Sequence, residues 1–157
     1  MTIIIPRHVH RVNKIIPEIE KMNLKVTLHS SKTKNLKNTD IYLVDTFGET
    51  KKFHKIGCSV FLGGSIIKRG GQNPLEAARY GARILHGPNT DNFKDIYKLL
   101  KSFKISKKIT NSEDMASSII FKKNKKITSI INNMGEIIFK KTIKDLDNLI
   151  NNEFKKT

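Results

Sequence analysis

The sequence predicts an α/β fold: a single doubly wound parallel sheet followed by C-terminal helices. Short β-branched apolar runs alternate with longer amphipathic ones, the pattern left by strands joined through crossover helices. The short runs lack a clean period of two, as strands covered on both faces do. At 157 residues with 38% hydrophobic side chains, the chain is long enough to fill one core of that kind.

Taken in order, the predicted strands are Ile3–Pro6, Lys25–His29, Ile41–Asp45, Cys58–Leu62 and Arg83–His86, each short and apolar. Helical stretches lie between and after them at Val12–Met22, Glu49–Ile56, Pro74–Tyr80 and Phe93–Phe103. In the last, Phe93, Ile96, Leu99, Leu100 and Phe103 recur at helical spacing, so one face packs on the sheet. Strands alternating with single helices imply right-handed crossovers. From Asn89 onward the chain changes character. Every His and Pro, and all Gly but Gly135, lie within residues 1–88. The remainder is Lys, Asn, Ile and Leu in helical patterns: Met115–Phe121, then Ile127, Ile130, Ile131, Met134 and Ile138, then Ile143, Leu146, Ile150 and Phe154. These positions read as structural, a helical tail from about residue 112 on one domain spanning 1–157. Chemistry is expected in the first ninety residues.

The formal charge is +16 and the pI about 10.0, which would ordinarily point to nucleic acid or an anionic membrane face. Only Arg7, Arg11, Arg69, Arg79 and Arg83 are arginine among 30 cations, and Ile and Asn are also heavily used, as an AT-rich coding bias would produce. The Lys pairs 51/52, 107/108, 122/123, 125/126, 140/141 and 155/156 are scattered along the chain. A solvated surface is the better reading, and no nucleic-acid partner is expected. No run approaches the roughly 20 apolar residues of a membrane span, and Met1-Thr2 leads into a strand-like run, not a signal sequence. Secretion and membrane spanning are therefore not expected. The single Cys58 makes no internal disulfide, no Cys/His cluster has zinc spacing, and a reducing, cytoplasmic setting fits.

In open α/β sheets ligands bind at the carboxyl ends of the strands, and the unusual residues sit in those turns. They are Pro6-Arg7-His8, Asp45-Thr46-Phe47-Gly48-Glu49, Gly63-Gly64-Ser65 and His86-Gly87-Pro88-Asn89, expected along one rim. The loop after the fourth strand carries two Gly pairs and Arg69, then a helix start with Asn73 as N-cap and Pro74 at the first helical position. Close backbone approach, an arginine and a helix N-terminus together suit an anionic phosphate. Arg is informative in so Lys-rich a chain, because Lys cannot replace its bidentate contact. Bland readings stand beside these. Glu76 lies three residues after Asn73, and Glu49 three after Thr46, so each could be half of a capping box. Glycine pairs also serve ordinary turns. His10 and His54 read as surface or packing residues, Cys58 as a small hydrophobe, and Arg79 and Arg83 as solvated.

The series IIIPRH, DIYLVDTFGET and SVFLGGSIIKRGGQNPLEAARYGARILHGPNTDNFKDI, with a later INNMGEII, resembles the C-terminal half of the 3-deoxy-D-manno-octulosonic acid (Kdo) transferases of lipopolysaccharide synthesis. The likeness is close and collinear from Ile3 to about Phe103. It implies a Rossmann-like donor domain of a GT-B glycosyltransferase, binding CMP-Kdo or CMP. The acceptor site for a lipid A precursor, the catalytic base and a membrane anchor would lie in an N-terminal domain that this chain lacks. No catalytic residue, cofactor or metal is then expected here. The whole enzyme would work at the cytoplasmic face of the inner membrane, and this chain alone would bind without turnover. By the same resemblance, Arg7 is a phosphate or carboxylate ligand, and Gly64, Ser65 and Asn73 contact phosphate and Kdo. Glu76 accepts from the ribose hydroxyls, and Thr46, Phe47, Gly48 and Glu49 lie against the cytidine. His8, Arg69, Gln72, Asn89 and Asn92 are further candidates, with helix capping as an alternative for Asn92. Gln72 departs from the family, which commonly has His there. With no Asp pair placed for Mg²⁺, neutralisation falls to Arg, backbone N–H groups and the helix dipole. Two other functions remain open: a GT-B donor domain for another sugar nucleotide such as a UDP-sugar, and a basic module that docks on anionic surfaces.

Overall fold

The structure, a computed structural model, describes residues 1–33 and 35–154. The side chains of Lys125, Ile138, Asn152, Glu153 and Phe154, and residues 34 and 155–157, lie outside the described residues; so do the predicted roles of Ile138 and Phe154 on a helix face and of the pair Lys155/Lys156. The chain forms two compact units, Met1–Phe53 and His54–Thr157.

In the first unit, β1 (Thr2–Ile4), β2 (Val26–Leu28) and β3 (Ile41–Leu43) form a parallel ladder in the order β1-β3-β2. Ile4 is in register with Leu43, so the turns that follow β1 and β3 leave the same edge. Leu43 and Val44 are fully buried, and α1 (Val12–Glu20), with Val12 and Ile19 buried, packs beside β2. The β2 backbone is tied in by Asp40, whose carboxylate accepts from Lys25 N at 2.8 Å.

The second unit opens in the last turns of α2 (Thr50–Ile56) and contains β4 (Ser59–Leu62), β5 (Arg83–His86) and β6 (Ser106–Lys108), all parallel in the order β4-β5-β6. Leu62 is in register with His86, so the glycine-rich loop and the loop after β5 also share an edge. Its core gathers Leu62 and Ile84 from the sheet, Ala77, Ala78 and Ala82 around α3 (Leu75–Ala78), Tyr97 and Leu100 from α4 (Lys94–Ser102), and Ile127 and Ile131 from α6 (Lys125–Phe154).

The parallel α/β class and the five predicted strands hold, with strand pairing running within each unit. β6 is a strand that sequence reading did not expect, because its own residues are Ser-Lys-Lys and only the flanking Ile105 and Ile109 are apolar and buried. α5 spans Ser112–Ser118, earlier than the expected Met115–Phe121. Asn111 sets its start by accepting from Asp114 N at 2.7 Å. α6 is one helix, continuous between residues 138 and 143, where the apolar pattern gives two runs.

Candidate functional site

The glycine-rich loop of the second unit is held by the loop after β5. Asn89 N donates to Ser65 O at 2.8 Å, and Asn89 Nδ2 donates to Ser65 O and Ile66 O. Asn92 N donates to Gly70 O, its side-chain Nδ2 to Arg69 O, and the Tyr97 hydroxyl to Gln72 O at 3.2 Å. Arg69 N folds back to Ile67 O. The carbonyls of Ser65–Gln72 are thus largely spent, whereas Arg69 N is the one amide of that segment engaged in a hydrogen bond among the described residues. A loop in this condition offers donors to a ligand and few acceptors.

Two of the glycines are required by these contacts. A Cβ on Gly87 would lie 2.5 Å from Ser65 O, and one on Gly70 would collide with the Asn92 amide, with φ at +76° besides. Gly63, by contrast, has open space where a Cβ would stand.

The predicted donor residues divide on this frame. Ser65 is fully buried and its hydroxyl is committed, donating to Leu62 O at 2.6 Å and accepting from Gly87 N at 2.8 Å. Asn92 does not cap the following helix; its amide braces the loop. Asn73 Oδ1 accepts from Leu75 N at 3.0 Å, while α3 itself begins one residue later than expected, with Pro74 in the cap position. The reciprocal half of the capping box is not formed: Glu76 is exposed and its carboxylate makes no hydrogen bond. Arg69 and Gln72 lie in the loop, Arg69 exposed and Gln72 half-buried.

Two histidines of this unit are buried. His86 is buried, stacks on Tyr97 with ring centroids 4.4 Å apart and places Nδ1 2.7 Å from Gly87 O. Burial holds the imidazole below its ordinary value against that hydrogen bond, with Lys108 and Lys101 adding to the effect. Burial likewise pushes the Tyr97 hydroxyl up to about 12. His54 is also buried, and burial lowers its titration although the Glu76 carboxylate opposes this. Lys123 Nζ closes the end of α2 by donating to His54 O and Lys55 O.

In the first unit, Arg7 and His8 are exposed in the turn after β1, where His8 stacks with His10 at 5.5 Å. The turn after β3 carries Phe47, 90% exposed, and Gly48 at φ +84°. The alternative capping box of Thr46 and Glu49 is not formed either. Thr46 Oγ1 is buried without a partner, and Glu49 pairs with Lys52 at 2.7 Å, which holds its carboxyl below the usual range. Surface concavities of about 480 Å³ around Arg79 and Phe139, and about 570 Å³ around Ile120 and Lys122, contain none of the predicted donor residues. Among the described residues no cluster of His, Cys, Asp or Glu could hold a metal ion, and no helix is long and apolar enough to cross a membrane.

No protein-family model matches the chain. Curated relatives do. The 3-deoxy-D-manno-octulosonic acid transferase of Rickettsia felis is 37% identical over 119 residues, 76% of this chain and 25% of that enzyme. That of Rickettsia conorii is 36% identical over the same length and coverage. The chain is a homologue of the Kdo transferases. It spans about a quarter of the length of the transferases it matches. The fold agrees: the crystal structure of the C-terminal CMP-Kdo binding domain of WaaA from Acinetobacter baumannii superposes with a TM-score of 0.68 at 24% identity, covering 73% of this chain and 60% of that one.

For a Kdo-transferase homologue, sequence reasoning singled out these turns as candidates but did not reach all that braces them. Tyr97 gives no sign of its work, because it acts through a contact to a distant loop, whereas His86 acts on the adjacent Gly87 and on the Tyr97 ring. The signal available was the position of His86 at the last residue of a strand, next to a glycine.

Proposed function

We propose that this chain is the donor-nucleotide-binding part of a Kdo transferase. It holds CMP-Kdo while the whole enzyme, at the cytoplasmic face of the inner membrane, passes Kdo to a lipid A precursor. The observation that carries the reading is the state of the loop Ser65–Gln72, five of whose eight carbonyls, those of Ser65, Ile66, Arg69, Gly70 and Gln72, are taken by Asn89, Asn92 and Tyr97. A phosphodiester accepts hydrogen bonds and donates none, so a fixed loop with unspent N–H groups is matched to it and needs little reorganisation on binding. Gly64, at φ +76°, turns the chain at the head of that loop, and Arg69 adds a mobile cation. Because the Ser65 hydroxyl is committed inward, Ser65 serves the ligand through its backbone. Glu76, with no cap to complete, is free to accept from the two ribose hydroxyls, and Gln72 can donate an amide hydrogen to the sugar acid. In the other unit, the fork of Arg7 suits a carboxylate or phosphate, the exposed Phe47 ring suits a pyrimidine face, and the unpaired Thr46 hydroxyl suits a base edge. No step of the transfer is assigned to a side chain of this chain; its part is to hold and orient the donor.

The test is a titration of the chain with CMP followed by amide chemical shifts. Shifts at Gly63–Glu76 and Gly87–Asn92 are expected, and shifts confined to residues beyond Phe103 overturn the reading. UMP binding as well as CMP identifies a UDP-sugar domain instead. Binding that fades with salt and ignores the base identifies a basic docking surface.

A further inference from the structure

Two buried rings stand behind the loop Ser65–Gln72 and reach it at both ends. Tyr97 lies on α4 and His86 closes β5; their ring centroids are 4.4 Å apart and their planes are inclined by 51°. The Tyr97 hydroxyl donates to Gln72 O, the last carbonyl of the loop, at 3.2 Å. Tyr97 is itself tied to β6, where Ser106 Oγ donates to Tyr97 O at 3.4 Å. At the other end the path runs through Gly87. His86 Nδ1 donates to Gly87 O at 2.7 Å, Gly87 N donates to Ser65 Oγ at 2.8 Å, and Ser65 Oγ donates to Leu62 O at 2.6 Å. Because a carbonyl only accepts, the neutral His86 ring carries its hydrogen on Nδ1.

Packing alone does not call for these polar tips. A pair of phenylalanines would fill the same interior with no hydroxyl or imidazole N–H to satisfy, and a polar group is costly to bury unless it finds a partner. Each tip spends its hydrogen on a backbone oxygen, one in the loop and one in the residue that holds the loop's head. A backbone oxygen is present whatever side chain stands there, so these bonds fix where the loop lies and not its composition. Burial pushes the Tyr97 hydroxyl up to about 12, which keeps it a donor across the physiological range. An anion gains most from donors that are already in place, since ordering a loose loop on binding costs affinity. Resting on the donor reading above, we propose that His86 and Tyr97 form a positioning clamp on the loop Ser65–Gln72, Tyr97 holding the end at Gln72 and His86 the end at Ser65 through Gly87, and that this clamp sets how tightly the phosphate of the nucleotide is bound.

The test compares two ligands on the whole 157-residue chain: CMP, and cytidine, which has the same base and ribose without the phosphate. Tyr97→Phe removes the hydroxyl and keeps the ring on His86. Its affinity for CMP is expected to fall by about three- to tenfold, the effect of one neutral hydrogen bond, while its affinity for cytidine stays within about twofold. A general loosening of the fold would weaken both ligands alike. His86→Asn keeps an amide hydrogen where Nδ1 stands and His86→Leu does not, so the Asn variant is expected to retain more of the CMP affinity than the Leu variant. Nitrogen-15 heteronuclear NOEs of the ligand-free chain give a second readout: they are expected to drop near Gln72 in Tyr97→Phe and near Ser65 in His86→Leu. Unchanged CMP affinity in Tyr97→Phe, an equal loss for CMP and cytidine, or NOEs that do not move overturns the clamp and leaves the donor reading standing. A wild-type chain that binds no CMP overturns the donor reading, and the clamp with it.

Discussion

Glu76 separates two roles that look the same in the sequence. An acid three residues after Asn73 reads as a capping box, yet the carboxylate makes no cap hydrogen bond. Glu76→Gln is therefore expected to leave stability unchanged. If the ribose diol is its partner, CMP affinity should fall by about tenfold or more, since hydrogen bonds to a charged group contribute roughly 1.5–3 kcal/mol. The same change should matter little for 2′,3′-dideoxy-CMP. Calorimetry of both proteins with both nucleotides gives the coupling, and a value near zero removes Glu76 from the site. Gly63 and Gly87 form a second contrast. Gly87→Ala places a methyl 2.5 Å from Ser65 O and is expected to cost roughly 1–3 kcal/mol in urea denaturation, as overpacking does. Gly63→Ala meets nothing within 4 Å, so stability should stay within about 0.5 kcal/mol while CMP binding weakens if the phosphate approaches that backbone.

Among the elements, the strands are legible because buried parallel strands are apolar runs whatever surrounds them, as in Ile41–Leu43 and Arg83–His86. β6 is not legible, since it is held by pairing with β5 and its Ser-Lys-Lys carries no apolar signal. The turns of the candidate site can be read from their Gly, Asn and Arg. Which of those residues face inward cannot, because the partners of Asn89 and Asn92, and Gly87 as one of the two partners of Ser65, lie more than twenty positions away in the chain. The misplaced boundaries of α5 and α6 have the same origin: the apolar pattern marks which face packs, and the caps mark where the helix begins. Gly135 is the clearest case. It is a poor helix former that leaves the helix unbroken, and a Cβ there would meet nothing within 4 Å. Gly135→Ala is expected to stabilise α6 by about 0.5–1 kcal/mol, read as a higher unfolding midpoint.

For the molecule as a whole, acid is expected to act first through histidine. Burial holds His54 and His86 below their ordinary values, so the folded state prefers them neutral and the unfolded state takes up protons first. Their contribution to stability is complete above about pH 6.5 and is lost as the pH falls from there through the folded values. The thermal midpoint should be level between about pH 7 and 8 and decline below about pH 6.5, with a shallower decline in His86→Gln. Carboxylates act later. Asp45, lowered by hydrogen bonds from Ser30 against the effect of burial, and Asp114, lowered by Lys107, lose their contribution only below about pH 4.

The spent carbonyls of the glycine-rich loop separate two properties that usually travel together. Loops whose amides exchange quickly with deuterium are ordinarily loops that move. Here the heavy atoms of Ser65–Gln72 are pinned through their oxygens, while most of their own N–H groups have no protein acceptor. These amides should exchange rapidly from a fixed position, and the bracing amides of Gly87, Asn89 and Asn92 should exchange slowly beside them. An arriving phosphate would then slow exchange in the loop without changing its shape, so that occupancy is written in deuterium uptake alone.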